Sequence, residues 1–219
     1  NPMHLQDRHI VITGGAQGIG EAIAHFVLEM GGSVTLIDAN ETTLAAAAAQ
    51  MDATRTLAIH GSVTDPTFVA HTVAEAGARF GRIDGLVNNA AIIRPAMIHK
   101  MAAAQWQDVI DVNLTGAYLC LQAVGQHMIA RSKAGEVVQG AIVNVSADAG
   151  RKGSVGQINY SVSKAGLLGM TMSAALEWAR YGIRVNSVCF GVVETPMTET
   201  IRSERFRDVY LAKIPMERW

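Results

Sequence analysis

Six short apolar runs alternate with longer stretches of helical periodicity along the whole chain. Each run is rich in Val and Ile and is continuous rather than alternating, as expected for strands that are covered on both faces. The runs lie at 9–14, 33–38, 55–60, 84–89, 141–146 and 183–190. Because strands that alternate with helices are joined by right-handed crossovers, the pattern predicts an α/β fold: a doubly wound parallel sheet with helices on both faces.

The length and composition are those of one folded domain. The chain has 219 residues, of which 49% are hydrophobic and 17% charged, so it can bury a sizeable core and disorder is excluded. Neither an internal repeat nor a linker interrupts it, and we expect a single domain over 1–219. The sequence stops at Trp219, where another helix and strand could follow, so we expect the whole protein to continue beyond it.

Charge and residue usage exclude several classes of function. The formal net charge is −1 and acids and bases are mixed along the chain, so no basic stripe indicates a nucleic-acid partner. The seven histidines are scattered without ligand spacing, so we expect no metal site. No run resembles a membrane span or a signal peptide, and Cys120 and Cys189 form no CxxC. We therefore expect a reducing, cytoplasmic location and no membrane partner.

A glycine-rich stretch, TGGAQGIG at 13–20, follows the first predicted strand and opens the first predicted helix. Gly14, Gly18 and Gly20 would let the backbone turn tightly and approach a pyrophosphate, which the first-turn N–H groups and the helix dipole would hold. Glycines also serve helix–strand packing, but these lie in the strand–turn–helix context that nucleotide binding requires. We therefore expect a dinucleotide site here.

An acidic residue, Asp38, ends the second predicted strand roughly twenty residues beyond the glycines. Its carboxylate can accept hydrogen bonds from the adenosine ribose hydroxyls and would repel a 2′-phosphate. The alternative interpretation is a simple turn acid before the next helix. Position 17 is Gln, and neither Arg nor Lys follows at 39 or 40, so NAD(H) is favoured and NADP(H) use has no support in the sequence.

A tyrosine and a lysine, Tyr160 and Lys164, are spaced four residues apart and would share one face of a helix. A unit charge about 4 Å from the phenol is worth roughly 4 kcal/mol at an effective dielectric near 20, which could lower the phenol pKa by up to about three. The tyrosine would then titrate near neutral pH, where a general acid–base works best. The pair alone is weak evidence, because YxxxK is common in helices.

Five motifs together carry a resemblance that none carries alone. TGGAQGIG at 13–20, NNAA at 88–91, DVNLTG around Asn113, YSVSK at 160–164 and GVVETP at 191–196 occur in this order. The set resembles the short-chain dehydrogenase/reductase family of the compact NAD-dependent type, from about residue 5 to the end. The resemblance implies a Rossmann-like sheet, a nicotinamide cofactor, and hydride transfer to or from the carbonyl or alcohol carbon of a small-molecule alcohol or ketone.

The resemblance also implies roles for individual residues. The catalytic set is Tyr160 as the acid–base, Lys164, which would lower the tyrosine pKa and hold the nicotinamide ribose, and Asn113, which would anchor a water relay to the lysine. A residue in the position of Asn113 could also merely cap or kink its helix. The implied cofactor-binding set is Gly14, Gln17, Gly18, Ile19, Gly20, Asp38, Val63, Asn89, Ala90, Val193 and Thr195, together with Tyr160 and Lys164.

Two departures from the family pattern bear on catalysis. The serine that polarises the carbonyl is replaced by Ala147, thirteen residues before Tyr160, and the neighbouring Ser146 should face the other side of its strand unless a bulge turns it inward. Losing one such donor typically costs about 10²- to 10³-fold in rate. Phe190 stands where a proline usually precedes Gly191, which makes the loop over the nicotinamide less rigid.

Candidate substrate-lining positions are Arg94, Ser154, Gln157 and the segment 197–209, which we expect to form one helix over the cleft. Arg94 could pair with an acidic group of the substrate, or it could be a solvated surface arginine. Residues 114–125 and 165–176 are apolar or small around the whole helix, and a sheet can cover only one side of each. We therefore expect a homodimer or homotetramer built through these two helices.

The sequence supports two functions. The first is an active NAD-dependent oxidoreductase that transfers a hydride between the cofactor and a secondary alcohol or ketone. The second, motivated by Ala147 and Phe190, is an NAD-binding protein of the same fold with impaired or no catalysis. The presence of Tyr160, Lys164 and Asn113 favours the first, because a silent site has no physical need for all three.

Overall fold

The computed structural model describes residues 4–219 and contains one six-stranded sheet with the order β3-β2-β1-β4-β5-β6, in which every pair of neighbouring strands is parallel. The strands are β1 (His9–Thr13), β2 (Ser33–Asp38), β3 (Thr56–His60), β4 (Gly85–Asn88), β5 (Gly140–Ala147) and β6 (Ile183–Phe190). This order is that of a Rossmann-type sheet, and it confirms the predicted fold class. The predicted domain bounds of 1–219 include residues 1–3, which lie outside the described residues.

Helices join the strands in succession. They are α1 (Gly18–Glu29), α2 (Glu41–Ala48), α3 (Pro66–Phe80), α4 (Ala103–Ile110), α5 (Ala117–Lys133), α6 (Ala149–Lys152), α7 (Ile158–Trp178), α8 (Glu199–Arg202) and α9 (Glu204–Leu211). A π-helical segment, Asp111–Gly116, connects α4 to α5. Among the helices of residues 4–219, none is long and apolar enough to cross a membrane.

The sheet has a hydrophobic core on each face. On one face, residues of α1 and α2 such as Ala24, Val27 and Leu44 pack on β1 and β2. On the other face, residues of α3, α5 and α7 such as Val73 and Leu121 complete the larger core. Strands buried on both sides explain why the apolar runs are continuous rather than alternating.

A cluster of charges holds the amino-terminal edge of the sheet. The Asp84 side chain, only 5% exposed, accepts hydrogen bonds from Arg82, from Arg8 and from the backbone N–H of His9. Arg131 of α5 lies 3.9 Å from the same carboxylate and donates to the carbonyl oxygen of Ile83. This edge lies opposite the glycine-rich turn, because all six strands run in the same direction.

The observed strands differ from the predicted runs by at most one residue at each end. β1 ends at Thr13 because Gly14 has a φ of +64° and begins a turn. β4 starts at Gly85, although the preceding Asp84 still donates its backbone N–H to His9 and accepts the N–H of Ala141. β5 extends through Ala147, which is in register with Phe190 at the end of β6.

The segment after β6 is not the single helix that the sequence predicted over 197–209. A 3₁₀ turn at Pro196–Thr198 leads into α8, and α8 and α9 are separated at Ser203, whose ψ of 156° is extended.

Candidate active site

A cavity of about 350 Å³ opens at the carboxyl ends of the strands, where open parallel sheets bind ligands. Its wall contains most of the residues that the sequence predicted for the site: Gly14, Gln17, Gly18, Ile19, Asp38, Val63, Asn89, Ala90, Tyr160, Lys164, Val193 and Thr195. Gly20 and Asn113 do not line the cavity. Both are buried behind its wall, Gly20 in α1 and Asn113 in the π-helical segment.

The glycine turn is built so closely that side chains would not fit. A Cβ on Gly14 would lie 2.9 Å from the Cα of Ala90, and Gly14 has positive φ. A Cβ on Gly20 would overlap the carbonyl oxygen of Gly14, so the third glycine permits helix–strand packing and does not itself face a ligand. The Asn89 side chain fixes the turn by donating its amide hydrogens to the carbonyl oxygens of Thr13 and Gly14.

The turn presents the amino end of α1 to the cavity. Gln17 is the N-cap residue and makes no side-chain cap, and the helix begins at Gly18. The first N–H groups of α1 therefore have no side-chain acceptor at the cap, and this end of the helix suits an anion such as a pyrophosphate. Thr195 lies on the opposite wall, close to Gly18. A Cβ built on Gly18 would be 3.2 Å from the methyl group of Thr195.

Asp38 is held in a fixed orientation at the end of β2. One carboxylate oxygen accepts the N–H of Ala16 at 3.1 Å, and the other accepts the N–H of Asn40 at 3.0 Å. Each carboxylate oxygen has a further lone pair that can accept a hydroxyl. Among the residues that line the cavity, Lys164 is the single cationic side chain, and it belongs to α7. The residues at this end of the cavity thus fit an adenosine ribose with two hydroxyl groups.

Tyr160 and Lys164 lie one turn apart on α7, as their spacing predicts. The Lys164 Nζ donates a 2.6 Å hydrogen bond to the carbonyl oxygen of Val145 and lies 5.7 Å from the centre of the Tyr160 ring. Lys164 is only 2% exposed, and burial lowers its pKa from 10.5 to about 8. The ammonium form therefore still predominates at pH 7.

The structure differs from the expectation that Lys164 lowers the pKa of Tyr160. Burial raises the pKa of the Tyr160 phenol above 10.0. The physical reason is that the lysine ammonium faces the ring and the Val145 carbonyl, so it makes no hydrogen bond with the phenolic oxygen. Within residues 4–219 the Tyr160 hydroxyl has no hydrogen-bond partner, so in this arrangement the tyrosine is suited to donate its proton rather than to exist as a phenolate.

Asn113 is 1% exposed and uses its whole side chain within the protein. Its Oδ1 accepts the N–H of Ile92 at 2.8 Å, and its Nδ2 donates to the carbonyl oxygen of Ile92 and to Ser163 Oγ. The Ser163 hydroxyl in turn donates to the carbonyl oxygen of Tyr160. Asn113 thus connects the segment after β4 to the turn of α7 that carries Tyr160, and its part in a water relay stays a prediction.

β5 is regular through its last residue, without a bulge, and both Ser146 and Ala147 line the cavity. Ser146 and Ala147 are in register with Cys189 and Phe190 of β6. Ser146 is 2% exposed and donates its hydroxyl hydrogen to the carbonyl oxygen of Lys164 at 2.7 Å. Ala147 lines the cavity with a methyl group. The side chain of residue 147 therefore supplies no hydrogen bond to a substrate.

Comparisons with known proteins agree with this site. The family model of the short-chain dehydrogenases matches residues 8–205. The chain is 37% identical to the acetoacetyl-CoA reductase of a Synechocystis strain over 215 residues, covering 98% of this chain and 83% of the relative. It is 40% identical to the cis-4-hydroxycyclohexanecarboxylate dehydrogenase of Sinomonas cyclohexanicum over 214 residues, covering 97% and 83%. The crystal structure of levodione reductase superposes with a TM-score of 0.89 at 32% identity, covering 99% of this chain and 86% of that one.

The chain belongs to the short-chain dehydrogenase/reductase family. It is an oxidoreductase of that family, whose members act on CH–OH and carbonyl groups with a nicotinamide cofactor. The resemblance drawn from the five motifs is thereby confirmed.

Three of the candidate substrate-lining positions of this short-chain dehydrogenase lie outside the cavity wall. Arg94 is exposed and pairs with Asp108 of α4 at 3.4 Å, so it is a solvated surface arginine. Ser154 and Gln157 do not line the cavity either. Within the segment 197–209, Met197 and Thr198 do reach the wall.

Two residues that position the dehydrogenase site escaped the sequence analysis. The Thr13 hydroxyl oxygen accepts the backbone N–H groups of both Asn89 and Ala90, which ties the glycine turn to the end of β4. Asn159 is fully buried and donates to the carbonyl oxygens of Arg94 and Gln105, which fixes α4 and its preceding segment beside Tyr160. A polar residue directly before Tyr160 was the only available signal, and its partners are distant in sequence.

Proposed function

We propose that this short-chain dehydrogenase is an NAD(H)-dependent enzyme that interconverts a secondary alcohol and a ketone. The observation that carries the proposal is one cavity that joins the glycine turn and Asp38 at one end to Tyr160 and Lys164 at the other. The first end fits a dinucleotide, and the second holds a proton donor beside a buried ammonium group. Proximity of the two ends is what hydride transfer coupled to proton transfer requires.

The residues of the chain have distinct parts in the proposed reaction. When bound, the nicotinamide supplies the hydride to a carbonyl carbon, or accepts it from an alcohol carbon. In reduction, Tyr160 gives its hydroxyl proton to the carbonyl oxygen as the C=O π bond breaks, so that the product gains one C–H and one O–H bond. Lys164 keeps a positive charge 5.7 Å from the centre of the Tyr160 ring, and this charge offsets part of the energy by which burial disfavours the phenolate that remains. The buried position of both side chains strengthens this charge interaction.

Replacing Tyr160 tests the proposed acid–base. Tyr160→Phe should lower kcat/KM by roughly 10³-fold, in the range that general acid–base groups contribute, and should leave the dissociation constant of NADH unchanged. Tyr181→Phe is the matched control, because Tyr181 lies in the 3₁₀ turn after α7 and does not line the cavity. Turnover by the Tyr160→Phe variant at the rate of this control would refute the assignment.

The choice of NAD(H) over NADP(H) rests on Asp38. A 2′-phosphate would lie against a carboxylate that two backbone N–H groups hold in place. We expect calorimetry to give NADH at least about tenfold tighter binding than NADPH, equivalent to roughly 1.4 kcal/mol. Asp38→Ala should narrow this ratio, whereas Asp108→Ala, which removes an exposed carboxylate on α4, should not. Tighter binding of NADPH by the unchanged protein would contradict the proposal.

A second candidate function is favoured by Ala147 and by the engaged hydroxyl of Ser146. A protein with this site could bind NAD and catalyse little or nothing. The relatives named above are reductases and dehydrogenases, which weighs against this alternative. A panel of ketones with NADH distinguishes the two functions, because the second predicts no consumption of NADH above background.

We also propose that the protein forms a homodimer or homotetramer through α5 and α7. The outer face of α7 carries Val162, Met172 and Leu176, which are 42%, 62% and 83% exposed, and Tyr118 on α5 is 46% exposed. An apolar face of this kind on a single subunit indicates a binding surface. Leu176→Glu should lower the mass found by analytical ultracentrifugation, and an unchanged mass would contradict the proposed interface. The cytoplasmic location stays a prediction from the two cysteines, which are both free thiols.

A further inference from the structure

Two hydroxyl groups lie at the reacting end of the cavity, and one of them is occupied. Ser146 gives its single hydroxyl hydrogen to the carbonyl oxygen of Lys164. Lys164 is buried and gives one of its three N–H hydrogens to the carbonyl oxygen of Val145. Over the described range 4–219, the Tyr160 hydroxyl makes no hydrogen bond, so it is the hydroxyl left for a ligand at this end.

Apolar side chains lie beside the Tyr160 hydroxyl. Ala147 and Phe190 sit side by side at the ends of β5 and β6, and both line the cavity. Ile92 and Met197 also line it, and the side chains of these four residues lack an N–H or O–H group. The hydroxyl hydrogen of Thr198, which lines the cavity next to Met197, goes to the carbonyl oxygen of Val193. A carbonyl group in this position therefore meets a single free hydroxyl, that of Tyr160, beside the Lys164 ammonium group.

The number of donors matters because negative charge develops on the carbonyl oxygen as the hydride arrives. Each preorganised donor aimed at such an oxygen is typically worth about 10²- to 10³-fold in rate. A site with one hydroxyl donor leaves more of the developing charge to the substrate itself than a site with two. Where a neighbouring group of the ketone already withdraws this charge, the absence of a second hydroxyl donor lowers the rate of reduction least.

We propose that the substrate of this site is an activated ketone, one whose carbonyl carries a neighbouring electron-withdrawing group such as a second carbonyl or an electron-poor aromatic ring. The proposal rests on the proposed ketone reduction and deepens it. Residue 147 is then the specificity-determining position. Its methyl group donates no hydrogen bond, so only activated ketones react well, and a hydroxyl group there would extend the substrate range to unactivated ketones.

The kinetic test uses a series of para-substituted acetophenones, from 4-methoxy to 4-nitro, with NADH. The unchanged enzyme should show kcat/KM rising steeply with electron withdrawal. Ala147→Ser should raise kcat/KM about 10- to 100-fold for the 4-methoxy ketone and less than about threefold for the 4-nitro ketone, since the added donor replaces part of the missing stabilisation. Ala147→Cys is the matched control, because a thiol of similar size is only a weak donor.

The result that would overturn the inference is equal sensitivity to the substituent in the unchanged enzyme and in Ala147→Ser. A primary isotope effect with 4-deuterated NADH verifies that hydride transfer is being observed. Failure of the proposed function is distinguishable, because it would show as no ketone reduced by any variant, or as Tyr160→Phe without effect on turnover.

A spectroscopic readout counts the donors without turnover. The infrared stretching frequency of a ¹³C-labelled acetophenone carbonyl is measured in complex with the enzyme and oxidised NAD, which carries no hydride to transfer. Because each hydrogen bond to the oxygen lowers this frequency, Ala147→Ser should lower it further than the unchanged enzyme or Ala147→Cys. A frequency in the unchanged enzyme already as low as in Ala147→Ser would mean that a second donor is present, and the inference would fail.

Discussion

Replacing the buried lysine with an apolar residue should make the protein more stable while it removes activity. Lys164 is 2% exposed, and the lowering of its pKa from 10.5 to about 8 corresponds to roughly 3 kcal/mol of destabilisation of the ammonium form in the folded state. Lys164→Met keeps an unbranched chain and removes this cost, and it forfeits the hydrogen bond to Val145, worth about 1–2 kcal/mol. The net gain at pH 7 should be roughly 1–2 kcal/mol, or about 2–6 °C in Tm for a chain of this size.

The gain should depend on pH in a defined direction. Below pH 8 both the folded and the unfolded protein carry a charged lysine, so the unchanged protein bears the full cost of burying it. Between pH 8 and 10.5 the folded protein loses this proton while the unfolded protein keeps it, so the stability of the unchanged protein rises and the gain from Lys164→Met should vanish.

Urea denaturation at pH 7 and near pH 10 measures this difference. Lys152→Met is the control, because Lys152 has a 73% exposed side chain and pairs with Asp148 at the surface, and its effect should stay within about 0.5 kcal/mol at either pH. The reasoning would be refuted by a Lys164→Met variant that is less stable than the unchanged protein at pH 7 by an amount that does not change near pH 10. That result would mean that the buried ammonium group is fully compensated by its surroundings.

Two further predictions concern stability at other places in the fold. Gly20→Ala should cost well over 2 kcal/mol or prevent folding, because its Cβ would overlap the Gly14 carbonyl oxygen, whereas Gly81→Ala, with a φ of +74° and open space around it, should cost only about 1 kcal/mol in urea denaturation. Asp84→Asn should cost about 2 kcal/mol at pH 7, because it removes the charged hydrogen-bond partner of the Arg82 and Arg8 guanidinium groups, each about one-third exposed. Burial raises the pKa of Asp84, but hydrogen bonds from Arg82 and His9 outweigh burial and lower it, so the cost measured by denaturation should shrink as pH falls below 3.8.

The parts of the fold that the sequence predicted well are those decided by local pattern. Continuous Val- and Ile-rich runs predicted all six strands. Strands that are buried on both faces show no alternation of apolar and polar residues, which distinguishes them from strands with one face exposed to solvent. The ends of the strands were less certain, since they depend on distant partners. Asp84 begins an apolar run and its backbone bonds to His9 of β1 and Ala141 of β5, yet β4 itself starts one residue later, at Gly85.

The site was predictable where backbone geometry dictates the residue type. Gly14 and Gly18 adopt positive φ, and Asp38 ends the strand that follows the glycine-rich turn and α1. The spacing of these residues along the sequence was therefore enough to predict that they line one cavity. The electrostatic expectation was wrong, because spacing on a helix does not say where an ammonium group points. Lys164 turns to Val145, and burial then dominates the pKa of Tyr160.

The charge cluster around Asp84 and the cavity lie at opposite edges of the same sheet. The ion pairs that stabilise one edge and the residues that bind the ligand are therefore separate sets. The methyl group at position 147 and the aromatic ring at position 190 therefore leave the ion pairs of the arginines at the far edge intact. Substitutions at the mouth of the cavity should therefore change ligand binding without changing the ion pairs of the far edge, because distant sites contribute independently.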